Sequence, residues 1–260
     1  MTATGLAVDG EDAFEGYRLA YSEALEGSCV ESLSSVLRAI THALSNLLMP
    51  VCEYPDLIKP YLPDQSPALA LIENMDVSTE RLLEMNQKMI RLCHGTEGCA
   101  MQVRVEDLIA QVLGNLVDQD LFLTVSVRND VPDAQLLGPM DALYHLVRDL
   151  CQNAMAAAGA DGKLEIGVQR IAVKVADPLA QLGVSPGSYL GLRFADNGPG
   201  VTPALRETLF DPFVSATQGE GYGIGLSTAY RTMRALGGGI VYRAAGPGGD
   251  FLCLFPEETV

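Results

Sequence analysis

The sequence predicts an α+β protein in two parts: an N-terminal helical hairpin and a C-terminal α/β two-layer sandwich. Three observations predict it. Two long stretches before residue 95 carry apolar residues at helical spacing, with a proline-rich segment between them. From about residue 100, runs of strand character alternate with helical runs. A length of 260 residues, 48% hydrophobic and 19% charged, suits one large or two medium globular domains.

Residues 1–28 are acidic, with Asp9, Glu11, Asp12, Glu15, Glu23 and Glu26 against Arg18 alone. They read as a loose arm or a short extra helix. Over 32–51, Leu33, Val36, Leu37, Ile40, Leu44, Leu47, Leu48 and Val51 fall within an arc of roughly 120° at 100° per residue. That is an amphipathic helix, ended by Pro50 or somewhat later, where Pro55 and Pro60 follow. Residues 55–67 form a proline-rich turn. A second helix runs from about 67 to 93, with Leu69, Ile72, Met75, Leu82, Leu83, Met89 and Ile90 on its inner side. One hairpin buries too little apolar surface alone, so it is expected to form a homodimer, two copies making a four-helix bundle. HGTEG at 94–98 is a linker candidate.

Beyond the linker the pattern predicts helix 105–118, strand 121–128, helix 140–158, strands 163–176 and 188–195, helix 224–236, and strands 239–244 and 250–255. The last three strands can form an antiparallel run.

A net charge of -16, with no segregated basic patch, argues against nucleic acid as a partner. No apolar run reaches membrane-spanning length, and residues 1–30 lack the basic start and apolar centre of a signal peptide. No membrane segment and a cytoplasmic location are therefore expected. The six cysteines form no CxxC pair. Cys93, His94 and Cys99 match no zinc spacing, so buried or half-buried free thiols are expected.

Four segments of the second half each have a reason to touch a nucleotide. In DLCQN at 149–153, Asp149 and Asn153 share one helix face. Their oxygens suit Mg²⁺, which takes a few hard ligands from protein and the rest from phosphate and water. In DNGPG at 196–200, a carboxylate at a strand end precedes glycines that let a flat ring approach the backbone. Asp196 there can accept a hydrogen bond from an exocyclic amine such as that of adenine. The plain alternatives are a solvated helical Asn and an ordinary turn. LFDPF at 209–213 is an aromatic-bracketed turn suited to starting a lid. GEGYGIGL at 219–226 offers exposed N–H groups leading into a helix N-terminus, which favours phosphate.

In this order and spacing the four segments resemble the N, G1, F and G2 boxes of the ATPase superfamily shared by histidine kinases, type II topoisomerases and mismatch-repair ATPases. The finer resemblance is to bacterial sensor histidine kinases. FDPFVS at 210–215, GYGIGLSTAY at 221–230, LGGGI at 236–240, GGDF at 248–251 and SPGSYL at 185–190 carry it. The resemblance implies ATP and Mg²⁺ as cofactors. Asn153 would hold the metal, with Asp149 beside it where the family has an Asn or Glu. Asp196 would bind the adenine amine, and Gly198 and Gly200 would shape the pocket. Phe213 would lie in the lid, and Gly221, Gly223, Gly225 and Leu226 would wrap the phosphates. Ala156 and Ala157 stand where many members have a Lys, and Ser215-Ala216-Thr217 where a Thr-Lys is common.

His42 lies about 180° from the centre of the apolar stripe of its helix. It is either a solvated surface histidine or an exposed nucleophile, a role that a partly neutral imidazole suits. ITHALSNLLMP at 40–50 resembles the phosphoacceptor box of histidine kinases, with Asn46 four residues and Pro50 eight residues after His42. TERLL at 79–83 resembles the second bundle helix of that family. Asn46 then stands where relatives position water for dephosphorylation. Ala43 replaces the usual acidic residue, and the next acid, Glu53, is about three turns on.

The resemblance implies a sensor-histidine-kinase core: a dimerisation and phosphoacceptor hairpin over about 29–95 and a catalytic ATP-binding domain over about 100–258. ATP would phosphorylate His42, which would pass the phosphoryl group to an aspartate of a response-regulator receiver domain. The runner-up is a histidine phosphotransferase or scaffold with a vestigial ATP domain. An ATP-dependent switch or Ser/Thr kinase of the anti-sigma type is the third reading, against which the upstream hairpin counts.

Overall fold

A computed structural model of the chain describes residues 17–18, 28–63, 65–94, 98–117, 123–159, 161–177, 179, 184–215, 222–243 and 248–257. The chain divides into two compact units, one of Glu23–Gly95 and one of Met1–Ser22 with Thr96–Val260.

The smaller unit is a helical hairpin. Helix α1 spans Ser28–Ile58 and helix α2 spans Ala68–His94. Of the two ends the sequence left open for α1, the later holds: the helix runs through Pro50 and Pro55 to Ile58, just before Lys59-Pro60. Each proline leaves the carbonyl four residues back, at 46 and 51, without its helical N–H. A short 3-10 turn, Lys59–Tyr61, follows. The Lys59 ammonium closes the hairpin base by bonding Asp56 at 3.2 Å and Asp76 on α2 at 2.7 Å.

The hairpin interface differs in part from the expected inner face of α2. Of the residues assigned to the inner side, Ile72 is buried and Leu69, Leu83, Met89 and Ile90 are half-buried, but Met75 and Leu82 are exposed; Thr79, Asn86 and Leu92 are buried as well. Among the described side chains of α1 the buried positions are Thr41 and Pro55, while Ile40, Leu44, Leu47, Val51, Tyr54 and Ile58 face outward. The apolar stripe sits one residue before the hairpin-facing stripe, hence about 100° around the helix.

The larger unit is a two-layer α/β sandwich. Its main sheet has the order β1-β7-β8-β6-β5-β3, with β3 Leu123–Asn129, β5 Gly162–Val173, β6 Gly187–Asp196, β7 Gly239–Arg243 and β8 Asp250–Pro256. β3 and β5 pair in parallel. β6, β8 and β7 form the antiparallel run anticipated from their spacing. β1 is a two-residue strand, Tyr17–Arg18, on the edge of β7. The N-terminal segment, read as a loose arm or helix, thus contributes a strand.

A second, two-stranded sheet pairs β2 Met101–Arg104 with β4 Gln135–Gly138. The sequence reading missed both, since four residues are too few for a period to show. Helices α3 Val105–Val117, α4 Met140–Ala158 and α5 Gly225–Ala235 cover one face of the main sheet. Inward residues of β5, β6 and β8, such as Ile166, Leu192, Phe194 and Phe251, alternate with outward ones and meet Leu108, Leu143, Leu150 and Met233 from the helices. Tyr189, Val241, Leu252 and Leu254 form a smaller cluster on the opposite face.

Cys151 and Cys253 lie in the main core as free thiols, and burial pushes the Cys151 pKa up to about 12. Cys52 is half-buried but Cys99 is exposed, a departure from the expectation of buried thiols. Among the described residues no helix is long and apolar enough to cross a membrane, and no cluster of three or more His, Cys, Asp or Glu is placed to hold a metal.

Candidate nucleotide-binding site

The site is built where α4, the end of β6 and the start of α5 converge. α4 begins after Pro139 and ends at Gly159, whose φ of 69° caps the helix as its N–H bonds the Met155 carbonyl. Its buried face is apolar except for Asp149, which is 4% exposed. Asn153, one turn on, is half-buried. The structure brings Asp149 to the N-terminus of α5: a Cβ added at Gly225 would lie 3.9 Å from the Asp149 Cβ. That N-terminus has no side-chain cap. Its first N–H groups therefore remain open to an anion.

Asp196 ends β6 and is 8% exposed. Its amide donates to the Gly249 carbonyl at 2.9 Å. Its Oδ1 accepts from the Gly198 amide at 2.8 Å and the Gly249 amide at 3.0 Å. Burial raises the Asp196 pKa above its usual value, the two amides oppose the shift, and the Asp250 charge adds to it. The second oxygen, Oδ2, is not engaged by either amide and is oriented by them.

Glycines line this carboxylate because nothing larger fits. A Cβ at Gly198 would come within 2.8 Å of the Ala157 carbonyl oxygen on α4. Gly248, with φ of 111°, would drive a Cβ into the Asp196 carbonyl oxygen, and Gly200, with φ of 68°, would place one 2.7 Å from the Gly248 carbonyl oxygen. The Tyr242 hydroxyl accepts from the Val201 amide at 3.0 Å and holds the end of the glycine turn to β7.

The aromatic turn and the glycine loop meet at their bases. Phe210 is fully buried and stacks on Tyr230 of α5, centroids 5.5 Å apart. The Phe213 amide donates to the Gly223 carbonyl at 2.9 Å, and both residues have left-handed φ, 67° and 64°. Phe213 is exposed, whereas Leu226 packs against the core. Gly221 lies outside the described residues.

The structure thus gathers Asp149 with Gly225, and Asp196 with Gly198 and Gly200, and it joins Phe213 to Gly223. Sequence reasoning assigned no role to Gly248, Gly249 or Tyr242. The GG pair just before a strand was the available signal for the first two. In the hairpin unit, Ala43 and Asn46 are exposed on α1, while the His42 side chain lies outside the described residues.

Residues 138–259 match the family described as histidine kinase-, DNA gyrase B-, and HSP90-like ATPase. The chain carries that ATPase domain. Among curated relatives, the C4-dicarboxylate transport sensor protein DctB of Rhizobium meliloti is 23% identical over 248 residues, which are 93% of this chain and 37% of that protein. The sensory histidine kinase/phosphatase NtrB of Klebsiella oxytoca is 28% identical over 198 residues, 75% of this chain and 54% of that one. The chain therefore spans about half or less of these relatives. The crystal structure of full-length ShkA in complex with AMPPNP shares the fold, with a TM-score of 0.69 and 20% identity over 87% of this chain and 46% of that one. The helical hairpin followed by this ATPase domain is the architecture of a histidine-kinase core.

Proposed function

We propose that the chain is the kinase core of a two-component sensor, transferring the γ-phosphoryl of ATP to His42 and from there to an aspartate on a receiver domain. Asp196 carries this reading. Two backbone amides fix its Oδ1 at 2.8 and 3.0 Å, which leaves Oδ2 to accept the exocyclic amine of adenine. Gly198 and Gly200 clear the ring's approach, and the uncapped α5 N-terminus at Gly225 and Leu226 receives the phosphates. Gly223, held to Phe213 by a backbone bond, leads into that N-terminus.

Asp149, beside that N-terminus, and Asn153, one helical turn further along α4, carry hard oxygens of the kind that fit Mg²⁺. The metal would supply charge neutralisation at the phosphate oxygens. The protein's own contribution is positional. The unprotonated imidazole nitrogen of His42 attacks phosphorus, forming an N–P bond as the bond to ADP breaks. The ring's remaining N–H proton then passes to water, because Ala43 offers no carboxylate. Asn46, exposed one turn on, orients water for hydrolysis of the phosphoryl group on the receiver-domain aspartate.

The exposed stripes of α1 and α2, including Leu44, Leu47, Val51, Leu71, Met75 and Leu82, support a homodimer through a four-helix bundle. The proposed domains are the hairpin over about 29–95 and the ATPase over about 100–258.

Incubation with γ-³²P-ATP and Mg²⁺ tests the reading. Acid-labile label is expected on the wild type and on neither His42→Ala nor Asp196→Asn. Label that survives on His42→Ala overturns it. The phosphotransferase reading has one observation in its favour: Ala43 is exposed, so no nearby acid of its own turn serves His42. Measurable nucleotide binding without label, together with label acquired from a phosphorylated receiver domain, would establish that second reading.

A further inference from the structure

The hairpin interface beside residue 42 is polar where the rest of it is mostly apolar. Asn86 of α2 is 3% exposed and Thr41 of α1 is fully buried. The Asn86 Nδ2 donates to the Thr41 carbonyl at 3.2 Å and to the Ser45 Oγ at 2.6 Å. The Ser45 hydroxyl in turn donates to the same Thr41 carbonyl at 3.0 Å. These bonds close a triangle between the helices, and one corner is the backbone of the residue directly before His42. Asn86 Oδ1 is buried with no hydrogen-bond partner among the described residues. A buried amide that leaves an acceptor unsatisfied is a poor choice for stability alone. Its use is in specifying geometry, because a buried Asn in a helical interface permits one register and rotation where apolar neighbours permit several.

We propose that Asn86 is the positioning residue of the phosphoacceptor turn: its amide pins the Thr41 carbonyl and Ser45 and thereby fixes the rotation of α1 at His42. The consequence for phosphoryl transfer rests on the kinase reading above; the consequence for His42 itself does not. Thr79 provides the internal comparison. It is another buried polar residue of α2, seven residues earlier, but its hydroxyl bonds the Met75 carbonyl of its own helix at 2.7 Å and, among the described residues, no atom of α1. It cannot register one helix against the other.

The test uses the full chain, with ¹⁵N-histidine NMR and γ-³²P-ATP labelling run on Asn86→Leu, Asn86→Gln and Thr79→Val. The chain has three histidines, so His42→Gln assigns the His42 signal. Asn86→Leu should shift the His42 imidazole signal and lower the labelling rate tenfold or more, with the KM for ATP and the midpoint of thermal unfolding preserved or raised. Asn86→Gln, which keeps the amide donor, should recover part of both effects. Thr79→Val should leave both as in the wild type. A His42 signal unchanged in Asn86→Leu overturns the proposal, as does an equal shift in Thr79→Val. A shifted His42 signal in a chain whose wild type takes no label keeps the positioning role and rejects the kinase reading instead.

Discussion

Asp196 and Gly249 hold each other through a reciprocal pair of hydrogen bonds: the Asp196 amide donates to the Gly249 carbonyl at 2.9 Å, and the Gly249 amide donates to Asp196 Oδ1 at 3.0 Å. The strand end and the start of β8 are thus one structural unit. A Cβ at 249 would collide with Asp196 Oδ2, the oxygen left for a ligand. Gly249→Ala must displace that carboxylate. Loss of one such buried polar contact costs about 1–3 kcal/mol, so nucleotide affinity should fall about five- to 150-fold. Titration with a fluorescent ATP analogue checks this, and unchanged affinity rejects Asp196 Oδ2 as the adenine acceptor.

The environment of Asp196 also gives a pH signature. Burial raises its pKa first and the Asp250 charge second, against the Gly249 and Gly198 amides. A carboxyl with a folded pKa above its unfolded value stabilises the fold when protonated, and that contribution is lost as pH rises through the folded pKa. Nucleotide binding runs the opposite way, because the ionised carboxylate is the stronger acceptor. Affinity should therefore decline on acidification while the pH is still above the ordinary Asp value of about 3.9. Asp196→Asn should bind weakly with no such decline. A wild-type profile flat down to that value sinks the assignment.

Phe213 holds a φ of 67° with its side chain 59% exposed. A bulky residue in the left-handed region costs roughly 1–2 kcal/mol, and so exposed a ring returns little by packing. Phe213→Gly should raise unfolding stability by about 1 kcal/mol and leave phosphoryl transfer unchanged, because the bond to the Gly223 carbonyl comes from the backbone amide, which glycine keeps. Urea denaturation and the labelling rate measure the two effects. A less stable variant would show that the ring serves the fold, and a slowed one that it serves the lid.

Within the ATPase domain the sequence was readable because its elements are long and punctuated. α4 was placed at residues 140–158 without error, since apolar spacing ran unbroken from Leu143 to Ala154 and Gly159 marked the stop. DNGPG directly after a strand located Asp196. Gly248 and Gly249 escaped because their importance lies in contacts with Asp196, distant in sequence, and local pattern carries no record of those. The hairpin was less readable. Thr41, Ser45 and Asn86 look like surface residues by composition, yet they meet inside the hairpin, and the apolar stripe lies outside it.

That exposed stripe makes its own prediction. Leu47 is 73% exposed, with Leu44 and Val51 on the same side of α1. A second copy that covers them removes apolar surface worth about 25 cal/mol per Å² from water. Leu44→Glu with Leu47→Glu should convert a dimer into a monomer by sedimentation equilibrium and leave nucleotide binding intact. A monomeric wild type rejects the bundle outright.

Ala43 offers the last test, because it is a position where a substitution should add activity. It is exposed on α1, directly after His42. General-base assistance is typically worth 10²- to 10⁴-fold. A carboxylate there would face no burial cost, and replacing Ala with Glu in an exposed helix costs at most about 0.7 kcal/mol. Ala43→Glu should therefore raise the rate of label incorporation at least about tenfold, without changing the KM for ATP, if proton removal limits transfer. An accelerated variant would identify Ala43 as the feature that keeps the native chain slow. If Ala43→Glu labels no faster than the wild type, transfer is limited elsewhere, and Ala156 and Ala157 at the end of α4, the latter beside Gly198, become the positions to change next.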